Sequence, residues 1–328
     1  MSNSIFLFGC KDTTLHVAKF LKQLNLHINL ITIDPETAKK NDVAGYIDLS
    51  KYEGLFKSIY IAESYSLTSS NDMKHFKKLD DFLLGFSIGW QRLIPGKILK
   101  YFSNGVHGMH GSTKDLPYGK GRSPMNWSII EGRDYFCTNL FRYKSGVDNG
   151  PTIDKVIFSI QAEDTAETLH YKNTLSMCAI IKKNIASLIS GDIIYKDQEV
   201  SDGESFYPKR NPDDGLIDWR DDINNINKLI RAVAPPFSGA IGFINNTEIK
   251  INRASIFYTD LEDHPYKHIR FGEVLEVFLN GKFLVRCSGG VLIIHESSND
   301  FICVGDSFKK QQSPFKRFKR NEHGFFDN

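Results

Sequence analysis

Apolar and polar positions along the chain fall into runs whose period changes, and the changes mark elements. Residues 4–8 (SIFLF) are a short apolar run opening on Gly9, the pattern of a buried strand. Over 13–24, Leu15, Ala18, Leu21 and Leu24 recur three apart, close to the spacing of an amphipathic helix. A second strand is predicted at 28–33 (INLITI), closed by Asp34-Pro35. Strand, helix, strand at this spacing is the βαβ unit of a parallel sheet. A third apolar run, 82–88, leads into Gly89-Trp90-Gln91-Arg92, a loop at a carboxyl strand end where α/β folds bind ligands. The longest predicted helix covers 164–191: Asp164 through Glu167 resembles a capping box, Leu175, Cys178, Ile181, Ile185 and Leu188 form a stripe, and Gly191 supplies the stop.

The pattern changes near residue 200, where 201–203 and 207–215 are polar and rich in turn residues. A helix with Ile223, Ile226, Leu229 and Val233 on one face follows at 221–233. Beyond Pro235-Pro236, alternating runs at 240–244, 248–252, 273–279, 282–287 and 291–295 predict a small all-β barrel or sandwich. The expected division is a catalytic α/β domain at 1–200, a linker at 201–214, a small β domain at 215–305 and a basic tail at 306–328.

Composition narrows the class. A chain of 328 residues with 41% apolar and 24% charged residues is an ordinary globular protein of two domains or one large one. The formal net charge is +2, and the six basic residues of 309–320 leave −4 on the rest. That argues against nucleic acid as a partner, which calls for basic surface over both domains. No apolar run approaches the ~20 residues of a membrane span. The start, MSNSIFLFGC, lacks the features of a signal peptide. Five scattered cysteines with no CxxC pair read as reduced packing residues. A cytoplasmic protein is expected.

Candidate chemistry concentrates in 101–155. This segment holds His107 and His110, a Gly-rich basic loop from Pro117 to Pro124, and the turn Val147-Asp148-Asn149-Gly150. Histidine shuttles protons near neutrality, and a nearby carboxylate can fix its tautomer and raise its basicity.

The wording of the segment resembles the N10-formyltetrahydrofolate-dependent formyltransferase family. The matching residues are Val106, His110, Ser112, Leu116-Pro117, Lys120-Gly121, Pro124, Trp127-Ser128-Ile129, Asp148-x-Gly150, and Asp164-Thr165 with Leu169. Gly89 to Pro95, Pro208-Lys209-Arg210, Asp213 to Trp219, and Ile230 to Ala240 are similar to further family segments. The resemblance implies a Rossmann-like domain followed by an OB-like β domain, formyl transfer to a primary amine, no metal, and a homodimer. It implies catalytic roles for His110, as donor and proton shuttle, and Asp148, which orients it. His110-Gly111-Ser112 fits the family's His-x-Ser, which selects His110 over His107. The folate is expected against Phe86, Ser87, Ile88, Gly89, Trp90, Leu93, Gly146 and Val147. One departure stands out: the family places Asn where this chain has Gly108, and Asn104 and Asn126 are the nearby amides. Two extra residues also separate His110 from Pro117.

Gly121-Arg122-Ser123-Pro124-Met125-Asn126-Trp127 is similar to the nucleotide-sugar N-formyltransferases. That implies a nucleotide-linked amino-dideoxy sugar as acceptor, for surface polysaccharide assembly. Arg122 would bind its diphosphate bidentately, with Lys120 and Asn126 assisting. The alternatives are a methionyl-tRNA formyltransferase and a folate- or nucleotide-sugar-binding module without activity. A dinucleotide-dependent dehydrogenase fails on the first βα turn, Gly9 to Thr14, which carries no GxGxxG.

Overall fold

The structure is a computed structural model that describes residues 4–79, 84–144, 146–199, 204–259, 265–299 and 301–309. The chain divides into two compact units. The first comprises residues 1–120, 137–158 and 171–204; the second comprises 121–136, 159–170 and 205–328.

The first unit is built on a seven-stranded sheet. In chain order its elements are β1 (Ser4–Phe8), α1 (Asp12–Gln23), β2 (His27–Thr32), α2 (Pro35–Lys40), β3 (Ser58–Ile61), α3 (Ser70–Lys78), β4 (Gly85–Ser87), α4 (Gly96–Leu99) and β5 (Val106–Ser112). The chain continues through β6 (Lys120–Gly121), α5 (Pro124–Ile130), β7 (Tyr135–Arg142), β8 (Thr152–Ser159) and α6 (Ala166–Ser190). The sheet order is β3-β2-β1-β4-β5-β7-β8. The pairs from β3 to β5 are parallel, and β7 runs antiparallel to β5. Strand order reverses between β1 and β4, so the Rossmann-like switch point lies between their carboxyl ends.

Each face of the sheet buries its own cluster. Ile5, Leu7, Leu30, Phe86, Ile88 and Leu140 pack with α1 and with Ile180, Ile181 and Leu188 of α6. Phe8, Ile31, Phe76, Trp90, Phe102 and Val106 form the other cluster. The expected stripe on α6 holds at Cys178, Ile181, Ile185 and Leu188, which pack on the core, and fails at its first position. Leu175 is 47% exposed, while Met177, Ile180 and Ile181 are buried, because the face that meets the sheet is set by packing rather than by one regular spacing. Of the apolar run 82–88, the strand covers Gly85–Ser87, and residues 82 and 83 lie outside the described set. The crossover ends meet closely: a Cβ on Gly9 would stand 2.2 Å from the Ile88 carbonyl oxygen and 2.3 Å from Thr14 Oγ1. Thr14 Oγ1 donates to that carbonyl at 2.6 Å.

In the second unit, β9 (Phe206–Tyr207) is followed by α7 (Ile223–Val233), β10 (Ala240–Ile244), β11 (Thr247–Thr259), β12 (Val274–Val277), β13 (Phe283–Cys287) and β14 (Gly290–Ser297). The last five form an antiparallel sheet ordered β10-β11-β14-β13-β12. α7 starts on the Asp222 cap and buries Ile223, Ile226, Leu229, Ile230 and Val233, one apolar face at helical spacing. Trp219 stacks on Phe308 at 4.4 Å. The segment expected as a linker is partly structured: Tyr207 stacks on Trp127 at 6.0 Å, and Trp127 Nε1 donates to the Pro208 carbonyl.

Candidate active site

Strand alternation separates the two histidines of β5, because residues three apart point to opposite faces. His107 is fully buried. Its Nε2 lies 3.4 Å from the Tyr195 hydroxyl, and burial plus the nearby Arg142 charge push its pKa down to about 3. It is a neutral packing residue. His110 faces the other way, near the carboxyl end of β5, and keeps 11% of its side chain exposed.

His110 Nδ1 stands 3.4 Å from Asp148 Oδ2, and Nε2 stands 2.8 Å from the Gly119 carbonyl oxygen. Both ring nitrogens therefore face acceptors, and a neutral imidazole has one N–H to offer them. Gly119 belongs to the Gly-rich loop, which Ser112 fixes by donating to the Tyr118 carbonyl.

Asp148 sits in a strained turn. Its φ is +47°, a left-handed conformation that Asp tolerates better than most residues. Gly150 is required beside it, since a Cβ there would stand 1.6 Å from the Arg142 carbonyl oxygen. Gln198 clamps the turn: its Nε2 donates to the Asp148 carbonyl at 2.7 Å and the Gly150 carbonyl at 2.8 Å. Gln198 carries no motif, and nothing in the chain pattern pointed to it.

The residues expected around the folate divide in two. Phe86, Ile88 and Trp90 are buried among the core side chains. Leu93 and Val147 are exposed at 51% and 45%, while Gly89 and Gly146 hold positive φ. The space beside each glycine is filled by the chain itself: a Cβ would stand 2.5 Å from Thr14 Oγ1 at Gly89 and 2.3 Å from Asn149 Nδ2 at Gly146. Ser87 is buried beneath them, and its Oγ donates to the Tyr143 hydroxyl at 3.3 Å.

Gly108 has a steric reason. A Cβ there would stand 2.2 Å from Tyr143 Cε2 and 3.0 Å from Phe141 Cζ, so the Tyr143 ring fills the room a side chain would need. A glycine inside a strand signals such a close approach, although its partner is not legible from the chain. Neither expected amide is idle. Asn104 donates to the Leu188 and Ile189 carbonyls, and it lies in the turn that precedes β5, six residues before His110. Asn126 is buried and donates to the Ala232 carbonyl at 2.6 Å.

Lys120, expected as a phosphate contact, is 3% exposed and its Nζ lies 2.6 Å from Glu204 Oε2. Arg122 is exposed; its backbone N–H donates to the Tyr207 carbonyl, and its guanidinium pairs with no other described residue. Among the described residues, no group of His, Cys, Asp and Glu could hold a metal ion, and no helix is long and apolar enough to cross a membrane.

A parallel sheet with a His–Asp pair near its carboxyl edge, followed by an antiparallel sheet, places the chain among Rossmann-like α/β proteins. Residues 57–176 match the formyl transferase model and 209–300 the formyl transferase C-terminal domain model. The chain belongs to the formyl transferase family of enzymes. Over 173 residues it is 32% identical to the bifunctional polymyxin resistance protein ArnA of Wigglesworthia glossinidia brevipalpis, an alignment covering 53% of this chain and 26% of that protein. The chain thus matches about a quarter of that relative's length. The crystal structure of an N-formyltransferase from Helicobacter canadensis, in complex with folinic acid and dTDP-3-aminofucose, aligns with a TM-score of 0.65 at 18% identity, covering 89% of this chain and 98% of that one. WlaRD, a sugar 3N-formyl transferase crystallised with dTDP and 5-N-formyl-THF, aligns at 0.64 and 19% identity over 91% and 99%. At these identities the likeness is one of fold.

Proposed function

We propose that the protein transfers a formyl group from N10-formyltetrahydrofolate to the primary amine of a nucleotide-linked amino-dideoxy sugar. The observation that carries this reading is the His110–Asp148 pair at 3.4 Å, near the carboxyl edge of the sheet in a chain of the formyl transferase family. The N5-formylated folates and the dTDP-linked amino sugar in complex with the structural neighbours support the same substrate classes.

The folate supplies an activated one-carbon group; the chain's residues handle protons and charge. His110, oriented by Asp148 through Nδ1, presents Nε2 to the attacking amine, which takes the place of the Gly119 carbonyl. The amine nitrogen forms its bond to the formyl carbon and gives up a proton to Nε2, and the folate nitrogen leaves with a proton. His110 acts first as base and then as acid, taking the amine's proton on Nε2 and giving one to the folate nitrogen. Exposed Arg122 supplies a fork for the diphosphate. Action in the cytoplasm, in surface polysaccharide assembly and as a homodimer completes the proposal.

The test is a formyl-transfer assay with N10-formyltetrahydrofolate, a panel of dTDP-, UDP- and GDP-linked amino sugars, and charged initiator methionyl-tRNA. Turnover of one sugar and not of tRNA is expected. Turnover of tRNA alone would replace this reading with the tRNA enzyme. Folate binding without any turnover would replace it with the binding module.

A further inference from the structure

We propose that Tyr143 is a catalytic residue, the donor that holds the formyl oxygen while the amine attacks; the inference rests on the formyl-transfer reading above. As the nitrogen–carbon bond forms, the carbonyl π pair moves onto oxygen. That oxygen then needs a preorganised donor, usually the largest single contribution to such catalysis. His110 is occupied with the amine's proton, so the donor must be another group.

Tyr143 stands in the right place. Its backbone N–H donates to the Val106 carbonyl at 2.8 Å, which fixes it beside β5. Its ring lies against Gly108 on the face that His110 occupies two residues on, roughly 7 Å away along the strand. The hydroxyl accepts from Ser87 Oγ, at the carboxyl end of β4. Among the described residues that is its single hydrogen-bond partner, so the phenolic proton remains available. Tyr143 is also half-buried rather than sealed.

The surrounding charge keeps the proton in place. Burial, with the Asp148 carboxylate adding to it, pushes the phenol up to about 12, so Tyr143 stays protonated throughout the neutral range. It donates a hydrogen bond and transfers no proton. The charge returns from oxygen when the bond to the folate nitrogen breaks.

Other donors are worse placed. The Asn104 and Asn126 amides serve backbone carbonyls. Asn139 opposes His110 directly on β7, and its Nδ2 has no partner. With the residue 2% exposed, however, that amide is closed off from any substrate.

Tyr143→Phe keeps the ring over Gly108 and removes the hydroxyl. The expected result is a kcat lower by about 10²–10³-fold, the loss typical of one such donor, with both KM values within about threefold of wild type. A second readout needs no turnover. In isotope-edited infrared spectra of the binary complex with [13C-formyl]-N10-formyltetrahydrofolate, the wild-type carbonyl band should lie at lower frequency than the variant's. A kcat within about threefold of wild type, or identical carbonyl bands, overturns the proposal. Should Tyr143→Phe fail to fold, 3-fluorotyrosine in place of Tyr143 keeps ring and hydroxyl but lowers the phenol's pKa. Its kcat should then fall at a lower pH than that of wild type, and an unshifted profile overturns the proposal. Wild-type protein that transfers formyl to no amine overturns the underlying reading, and the proposal with it. Active wild type with active Tyr143→Phe overturns the proposal alone.

Discussion

His107 should make the first unit sensitive to acid, and the size of the effect follows from its surroundings. The imidazole is fully buried, opposite the Tyr195 hydroxyl, with Arg142 close enough to oppose a second cation. Its folded pKa is held at about 3, against ~6.5 in an unfolded chain. Between those values the unfolded state binds a proton that the folded state refuses, so stability falls as pH drops from 6.5 toward 3 and levels off below. At ~1.36 kcal/mol per unit the penalty reaches roughly 3 kcal/mol at pH 4, a large share of the ~5–15 kcal/mol that holds a typical domain. Replacing His107 with Gln keeps an amide within reach of Tyr195 and removes the titration. Urea midpoints followed by pulsed hydrogen exchange on the β5 peptide, at pH 7, 5.5 and 4, should show a wild-type loss roughly 3 kcal/mol greater than that of His107→Gln. Other groups, such as Asp154 with its lowered pKa, are common to both proteins and cancel in the difference. Parallel acid profiles, or an NMR titration of the His107 ring near 6.5, would refute the reasoning.

The remaining predictions concern the site. His110→Ala and Asp148→Ala should each lower kcat by about 10²-fold or more with an unchanged thermal midpoint; near-normal turnover in a folded variant removes that residue from the chemistry. Arg122→Ala should raise KM for the nucleotide sugar about tenfold and leave kcat alone, which steady-state kinetics read directly. Gln198→Ala removes both donors from the Asp148 turn and should lower kcat by about 10–100-fold, as loss of a residue that orients a working ligand does, while KM holds. Gly108→Ala forces a methyl into the Tyr143 ring; a cost of about 1–3 kcal/mol should appear as a lower melting temperature.

Much of the frame was legible along the chain because it rests on local periodicity. β1, α1 and β2 came from runs that packing did not have to arbitrate. The face of α7 followed from Ile223, Ile226, Leu229 and Val233. β3 escaped notice because four residues with half-exposed faces carry little alternation. β5 reads as Gly- and His-rich, so its chemistry stood out before its strand did. The family pattern singled out His110 and Asp148, which lie 38 positions apart and meet at 3.4 Å. The pattern could not foresee that Lys120 pairs with Glu204 or that Asn126 serves Ala232, because long-range partners leave no local trace.

By itself the sequence determined a βαβ start, a β-rich second half, and a histidine and a carboxylate in a family setting. These depend on residue type and short spacing. Tertiary structure alone decided which histidine is buried and which meets Asp148, since strand alternation acts only once β5 lies between β4 and β7. It also decided that Gly108 is an accommodation to Tyr143. A glycine shows that something approaches closely, and only the folded sheet shows that the approaching group is a phenol bonded to Ser87.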